Sequence, residues 1–277
     1  MKSAQRLLPL LAGLCLATAA AAQDDLPTYA CTKTATPPTI DGNAGDPAWD
    51  QAEATALFDV EDRARQAQHS RPTRAKMLWD DDNLYFLFEM EDADVWSTFT
   101  NRDDQIWQEE VVEIFIDPDG DGLDYAEIEV NPLNVVFDLL LSRPWSDGGR
   151  GFAQWNPDFS SAVTVDGSVN DDSDTDSGWT VEVALPWEAL ATDIRNVANG
   201  KSLPPQMGDE WRLNLYRFER LRQNGAVATA EASAWSTVGV VDFHRPDRFG
   251  ILSFVDAPTA VGTDSWGRVK GQVKSRQ

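Results

Sequence analysis

The chain has 277 residues, 46 of them acidic and 23 basic, for a net charge of −23. A surface this acidic repels phosphate backbones and anionic lipid, which excludes nucleic acid and membrane surfaces as expected partners. Neutral or cationic ligands and divalent cations remain.

In chain order, Lys2 and Arg6 precede an apolar run from Leu7 to Ala19, and Ala20-Ala21-Ala22 offers small residues before Gln23. The run is far shorter than the ~20 residues that span a bilayer, so residues 1–22 are predicted to be a cleaved signal peptide. Cleavage near Ala22 would export the protein to the periplasm or beyond, with no membrane insertion and a mature charge of −25 (21 basic against 46 acidic residues). Cys31 is then the only thiol of the mature chain, so no intrachain disulfide is available and stability must come from a core. About 255 residues are enough for one large β domain, expected as a monomer over residues 27–256.

Strand patterns follow at Thr73 to Trp79, Leu84 to Met90, Val135 to Leu141, Ala162 to Val165, Trp179 to Leu185, Glu210 to Phe218 and Phe249 to Val255. Leu84 to Met90 is apolar on both faces, which suits a central strand. Turn signals separate the segments: Asp80-Asp81-Asp82-Asn83, Asp119-Gly120-Asp121-Gly122, Asp166-Gly167 and Asn224-Gly225. Pro186 to Leu190 can start a short helix, Asn170 to Asp176 reads as an exposed acidic loop, and residues 257–277 read as a disordered tail. Many short strands with acidic turns predict an all-β, antiparallel sandwich, jelly-roll-like and with little helix.

The most informative stretch runs from Asp103 to Asn131, a polar loop with one tryptophan, a strand, an acidic turn and a second strand. Val112, Ile114 and Ile116 alternate with Val111, Glu113, Phe115 and Asp117; Ala126, Ile128 and Val130 alternate with Glu127, Glu129 and Asn131. Period two gives each strand one apolar face and one polar face. Glu113, Glu129 and Asn131, with Trp107 at the rim, offer hydroxyl acceptors beside a flat ring, the combination a sugar needs. The alternative is a solvated outer face whose charges keep the protein soluble.

With the strands placed, the chain resembles the family 9 carbohydrate-binding modules, whose fold is a β-sandwich. The resemblance runs from Pro38-Thr39-Ile40-Asp41-Gly42 and Asp46-Pro47-Ala48-Trp49, through Thr73 to Tyr85, to the most specific match at Ile106 to Asp117. Glu129-Val130-Asn131-Pro132, Trp179 to Trp187, Asn214 to Arg217 and Phe249-Gly250 continue it in order. In that family a sugar is clamped between two tryptophans, while a carboxylate, an arginine and amides bond its hydroxyls. The resemblance implies Trp107 as one clamp ring and Glu113 as the carboxylate. The second clamp position falls at Phe243, with His244 beside it. The family arginine aligns with Glu129, a reversal of charge, and the family glutamine with Tyr216. Arg217 is either a sugar-bonding arginine or the neutraliser of nearby carboxylates.

The resemblance implies an exported, non-catalytic carbohydrate-binding protein working beside glycoside hydrolases, with no cofactor required. Calcium is the one candidate ion. Asp117, Asp119, Asp121 and Asp124 offer the oxygen ligands a hard cation takes, although Ile128 stands where a calcium loop would place its bidentate glutamate; a plain acidic turn is the alternative.

Two other readings stay open. A glycosidase would use a carboxylate pair such as Glu113 and Glu129. A haem-binding periplasmic subunit of the same sandwich type would draw ligands from Lys76, Met77, Met90 and His244. The two histidines, His69 and His244, make no zinc cluster. Among the tryptophans, Trp49, Trp79, Trp179, Trp187 and Trp211 are expected in the core, and Trp96, Trp107, Trp145, Trp155 and Trp235 in exposed loops.

Overall fold

The structure is a computed structural model that describes residues 26–61, 71–223, 226–240 and 242–257. The leader over 1–22, His69, the Asn224-Gly225 turn and the tail from 258 onward lie outside the described residues.

Strands β1 (Thr28–Lys33), β2 (Asp59–Val60), β3 (Thr73–Trp79) and β4 (Asn83–Glu91) come first. Next are β5 (Val111–Asp117), β6 (Tyr125–Val130), β7 (Val136–Leu141), β8 (Gly151–Phe152), β9 (Ser160–Asp166) and β10 (Gly178–Pro186). A single helical turn, α1 (Trp187–Leu190), precedes β11 (Glu210–Gln223), β12 (Ala226–Ala234) and β13 (Gly250–Val255).

These strands form one continuous sheet in the order β8-β7-β6-β5-β11-β13-β1-β3-β4-β10-β9, with β12 paired to β11 and β2. The sheet curls so that its two halves face each other. Val112, Ile114 and Ile116 of β5 and Leu213 and Leu215 of β11 share one buried cluster with Met77 of β3, Phe86 and Phe88 of β4, and Val181 and Val183 of β10. The all-β expectation holds, with one correction: the sheet is mixed. β1 runs parallel to both of its neighbours, with Thr28 opposite Ile251 on β13 and Thr32 opposite Leu78 on β3.

β4 is apolar on both faces because it lies between β3 and β10 and packs on two sides. Phe86 and Phe88 fill the main core, while Tyr85 and Leu87 pack outward under Trp49. That outer layer is pinned by Glu182, which accepts from the Trp49 indole at 2.7 Å and from the backbone N–H groups of Asp41 and Gly42 at 2.9 and 2.7 Å. The Pro38 to Trp49 motif is therefore a structural clasp. Trp49, Trp79, Trp179, Trp187 and Trp211 are buried as expected, but so are Trp155 and Trp235. The Trp155 indole donates to the Ala189 carbonyl at 3.1 Å, so this loop tryptophan serves the core.

Candidate functional site

The second face of β5 and β6 is not solvated. Glu113, Glu127, Glu129 and Asn131 are all buried, among a second apolar cluster of Phe115, Tyr125, Phe137, Leu139, Tyr216 and Phe243. The register explains why. Tyr216 on β11 pairs with Glu113 on β5, Glu113 with Glu129 on β6, and Glu129 with Phe137 on β7, so one row crosses four strands on one face. In the next row Phe115 pairs with Glu127 and Glu127 with Leu139.

Over this floor lies a cavity of about 430 Å³ lined by Trp107, Glu113, Glu127, Glu129, Phe137, Leu139, Trp145, Phe218, Asp242, Phe243 and His244, within the size range of small-ligand sites. Oxygens of Glu113, Glu127 and Glu129 lie within 4.8 Å of one another. Burial pushes the Glu113 and Glu129 carboxyls well above the usual range, and the neighbouring carboxylates add to it. Burial likewise raises Glu127 to about 7.

The walls are aromatic. Trp107 sits in the 3-10 turn Ile106–Gln108 at the mouth of β5. Its ring meets Phe137 edge-on at 4.7 Å, and Arg220 donates to the carbonyls of Trp107 and Gln108 at 2.8 and 2.9 Å, fixing the turn. Trp145, 45% exposed, donates its indole N–H to Nε2 of His244 at 3.0 Å. Phe243 is a buried member of the wall, 3% exposed and sandwiched between Tyr216 at 4.0 Å and Phe218 at 4.7 Å.

Of the residues singled out in the sequence, Trp107, Glu113, Glu129, Phe243 and His244 line this cavity and three others do not. Tyr216 lies beneath, its hydroxyl donating to the Phe243 carbonyl at 3.0 Å. Asn131 shapes the β6–β7 turn, donating to Ser97 Oγ and the Phe99 carbonyl and accepting from the Leu133 and Val135 amides. Arg217 points to the opposite face, where it donates to Thr73 Oγ1 at 3.1 Å, to the Glu91 carbonyl at 3.0 Å, to Asp92 at 2.9 Å and to Glu219. Its role is to neutralise buried carboxylates.

Sequence reasoning missed Glu127, Phe137, Leu139, Phe218, Trp145 and Asp242 as lining residues. Glu127 shares the parity of Glu129, which is the signal that finds it. Nothing local links Trp145 to His244, 99 residues away.

In the acidic turn, Asp117 accepts from the Gly120 and Gly122 amides at 3.1 and 2.9 Å, and its oxygens gather with those of Asp119 and Asp121. Asp124 is held apart by Arg195. The haem candidates are scattered: Met77 and Met90 lie in the main core, Lys76 donates to the Trp49 carbonyl, and His244 faces the cavity. Glu113 and Glu129 are directly paired across β5 and β6, and each brings an oxygen within 4.8 Å of the other.

Residues 40–257 match the family model described as "Carbohydrate family 9 binding domain-like". The chain belongs to this family. It is 29% identical over 116 residues to "Exoglucanase XynX" of Acetivibrio thermocellus, a stretch covering 42% of this chain and 9% of that relative's length. Two solved structures of a family 9 module from Caldicellulosiruptor kristjanssonii share the fold. The one in complex with cellotriose has a TM-score of 0.52 at 17% identity, covering 84% of this chain and 96% of that one. The one in complex with glucose has a TM-score of 0.53 at 18% identity, covering 85% and 98%. The present family 9 domain places its cavity on the face that carries Trp107 and Glu113, the residues that its resemblance to the family assigns to the sugar.

Proposed function

We propose that the protein binds carbohydrate in the cavity over β5, β6 and β7 without cleaving it. One observation carries the reading: in a family 9 domain, half-buried and exposed indoles line a cavity whose floor is a row of carboxylates. The rings of Trp107 and Trp145 offer faces for the apolar C–H side of a pyranose, and Glu113, Glu127, Glu129 and Asp242 accept from its hydroxyls. A matched relative named as an exoglucanase, and similar structures in complex with cellotriose and with glucose, support action beside enzymes that degrade glycosides; the apolar run after Lys2 and Arg6 supports export. Among the described residues no helix is long and apolar enough to cross a membrane.

Calorimetric titration with glucose, cellotriose, xylose and amino sugars tests this. Saturable binding of at least one, weakened in Trp107→Ala and accompanied by no release of reducing ends from polysaccharide, is the expected result. Absence of binding to all of them, in a folded sample, would refute it.

We also propose calcium at the acidic turn, held by Asp117, Asp119 and Asp121. Burial raises the Asp117 carboxyl to about 7, with the hydrogen bond and charge of Asp119 adding to it, a crowding that a hard cation relieves.

A further inference from the structure

We infer that the cavity selects a sugar bearing a free, protonated amine, such as a 2-amino-2-deoxyhexose, whose ammonium group sits on Glu113, Glu127 and Glu129; the inference rests on the carbohydrate reading above and narrows its substrate class.

The floor has three carboxyls, and among the described residues no ion pair reaches any of them. Arg220 is the basic side chain nearest in charge effect to Glu113, but it is committed to the backbone carbonyls of Trp107 and Gln108. Burial holds the His244 imidazole down to about 4, so it is neutral at pH 7. Glu127 and Glu129 are 5% and 1% exposed, both line the cavity, and Oε2 of each has no hydrogen-bond partner. Empty, the site keeps protons on these carboxyls, with Glu127 and Glu129 hydrogen-bonded to each other; once ionised, buried carboxylates need donors that bring positive charge.

An ammonium group fits that request in number and in spacing. It carries three N–H donors and no acceptor. At N···O distances of about 2.8 Å its tetrahedral geometry places the three acceptors about 4.6 Å apart. One oxygen from each of the three carboxylates lies no more than 4.8 Å from the others, close enough for a single ammonium group to reach all three. A neutral hydroxyl brings one donor, no charge and a lone pair facing the acidic floor. The walls reinforce the choice, because the cavity is lined by aromatic rings, Trp107 and Phe137 among them, and the negative potential of a ring face attracts a cation. An N-acetylated amine loses the charge and two of the three donors and adds bulk where the floor is closed.

Binding is coupled to protons. The empty site holds protons on carboxyls raised by burial, and an ammonium group displaces them. The other titratable groups facing this floor are Arg220 and Tyr216 from β11, Tyr125 from β6, and Asp242 and His244 from the segment before β13; the Arg220 charge acts on Glu113 through space and forms no ion pair with the three carboxylates. Affinity for the amine should therefore fall as pH drops from 7.5 to 5.5, while affinity for a neutral sugar should stay flat.

Calorimetry with glucosamine, N-acetylglucosamine, glucose and calcium chloride on the intact protein decides this. Glucosamine is expected to bind at least tenfold more tightly than glucose, with proton release detected in buffers of differing ionisation enthalpy. N-acetylglucosamine is expected to bind no better than glucose. Glu127→Gln and Glu129→Gln, which keep the shape and remove charge, should abolish the glucosamine preference, bringing glucosamine and glucose to equal affinity. Glucose bound as tightly as glucosamine would overturn the inference while leaving the carbohydrate reading intact. Calcium displacing glucosamine competitively, and losing affinity in the same two variants, would also overturn it in favour of a metal floor. No sugar binding of any kind would end both readings.

Discussion

The indole of Trp145 donates a hydrogen bond to Nε2 of His244 at 3.0 Å, and that one bond fixes the imidazole tautomer. An indole N–H only donates, so Nε2 must be the unprotonated acceptor, and the ring proton lies on Nδ1, facing the Tyr125 hydroxyl at 3.0 Å. Burial drives the same ring down to about 4. In an NMR titration, His244 is expected to stay neutral until about pH 4. Trp145→Phe removes the donor and opens Nε2 to water, so the midpoint should move up toward the ordinary ~6.5. A midpoint near 6.5 in the unaltered protein would contradict the packing of this ring.

The pH dependence of stability follows from the signs of the buried shifts. The folded-state values of Glu127 and Asp117, raised to about 7, and of Glu219, raised to about 8, exceed their unfolded values near 4. The folded chain thus holds more protons than the unfolded one through that window, and these groups make stability fall as pH rises. His244 works the other way between about 6.5 and about 4, where the unfolded chain takes a proton that the folded one refuses. Several carboxyls outweigh one imidazole, so the melting temperature in chelator should be higher at pH 5.5 than at pH 8. Glu127→Gln should flatten the slope.

Trp107 should behave as a binding residue with a modest structural duty. Stacking on an aromatic ring is worth ~1–3 kcal/mol, so Trp107→Ala should weaken sugar binding roughly 5- to 150-fold. Its edge contact with Phe137 adds a stability loss on the order of 1 kcal/mol. A stability loss several times larger with intact binding would place this ring in the core.

Arg217 should behave in the opposite way. Asp92 and Glu219 are buried against it, and removing one partner of a buried charge network typically costs about 3–5 kcal/mol. Arg217→Met should show that loss in urea denaturation and leave the affinity of the folded fraction for sugar unchanged. Loss of affinity at full stability would return Arg217 to the binding site.

If calcium binds the acidic turn, the melting temperature should rise between chelator and millimolar calcium at equal ionic strength, by mass action on the native state. Asp119→Asn combined with Asp121→Asn should remove the shift, and Arg195→Ala should not. An equal response in the double variant would move the ion elsewhere.

The strands that carry the cavity were legible because period two is a local property: Val112, Ile114 and Ile116 announce one face, and Glu113 and Glu129 the other. What the pattern could not say is that both faces are buried. That depends on β11 and the segment around Phe243, which reach the carboxylates from far along the chain, together with the neighbouring β7. β12 was illegible for a different reason. Its sequence, Ala226 to Ala234, is rich in alanine and carries little strand signal of its own, so β11 and β2 impose its pairing. The parity of Arg217 already separates it from Tyr216 and Phe218. Its buried partners Asp92 and Thr73 are visible only in three dimensions.

The parallel seat of β1 between β13 and β3 makes the contact that closes the sheet the most distant in sequence. The hairpins β3–β4, β5–β6 and β6–β7 can each close from neighbouring sequence, but the seam joining the two halves of the sheet needs Thr28 to Thr32 to meet Ile251 to Val255. Long-range pairing of this kind is slow, because the loop must close before any contact rewards it. Deleting β13 should leave a chain that collapses without closing, with β1 free to pair with a second molecule.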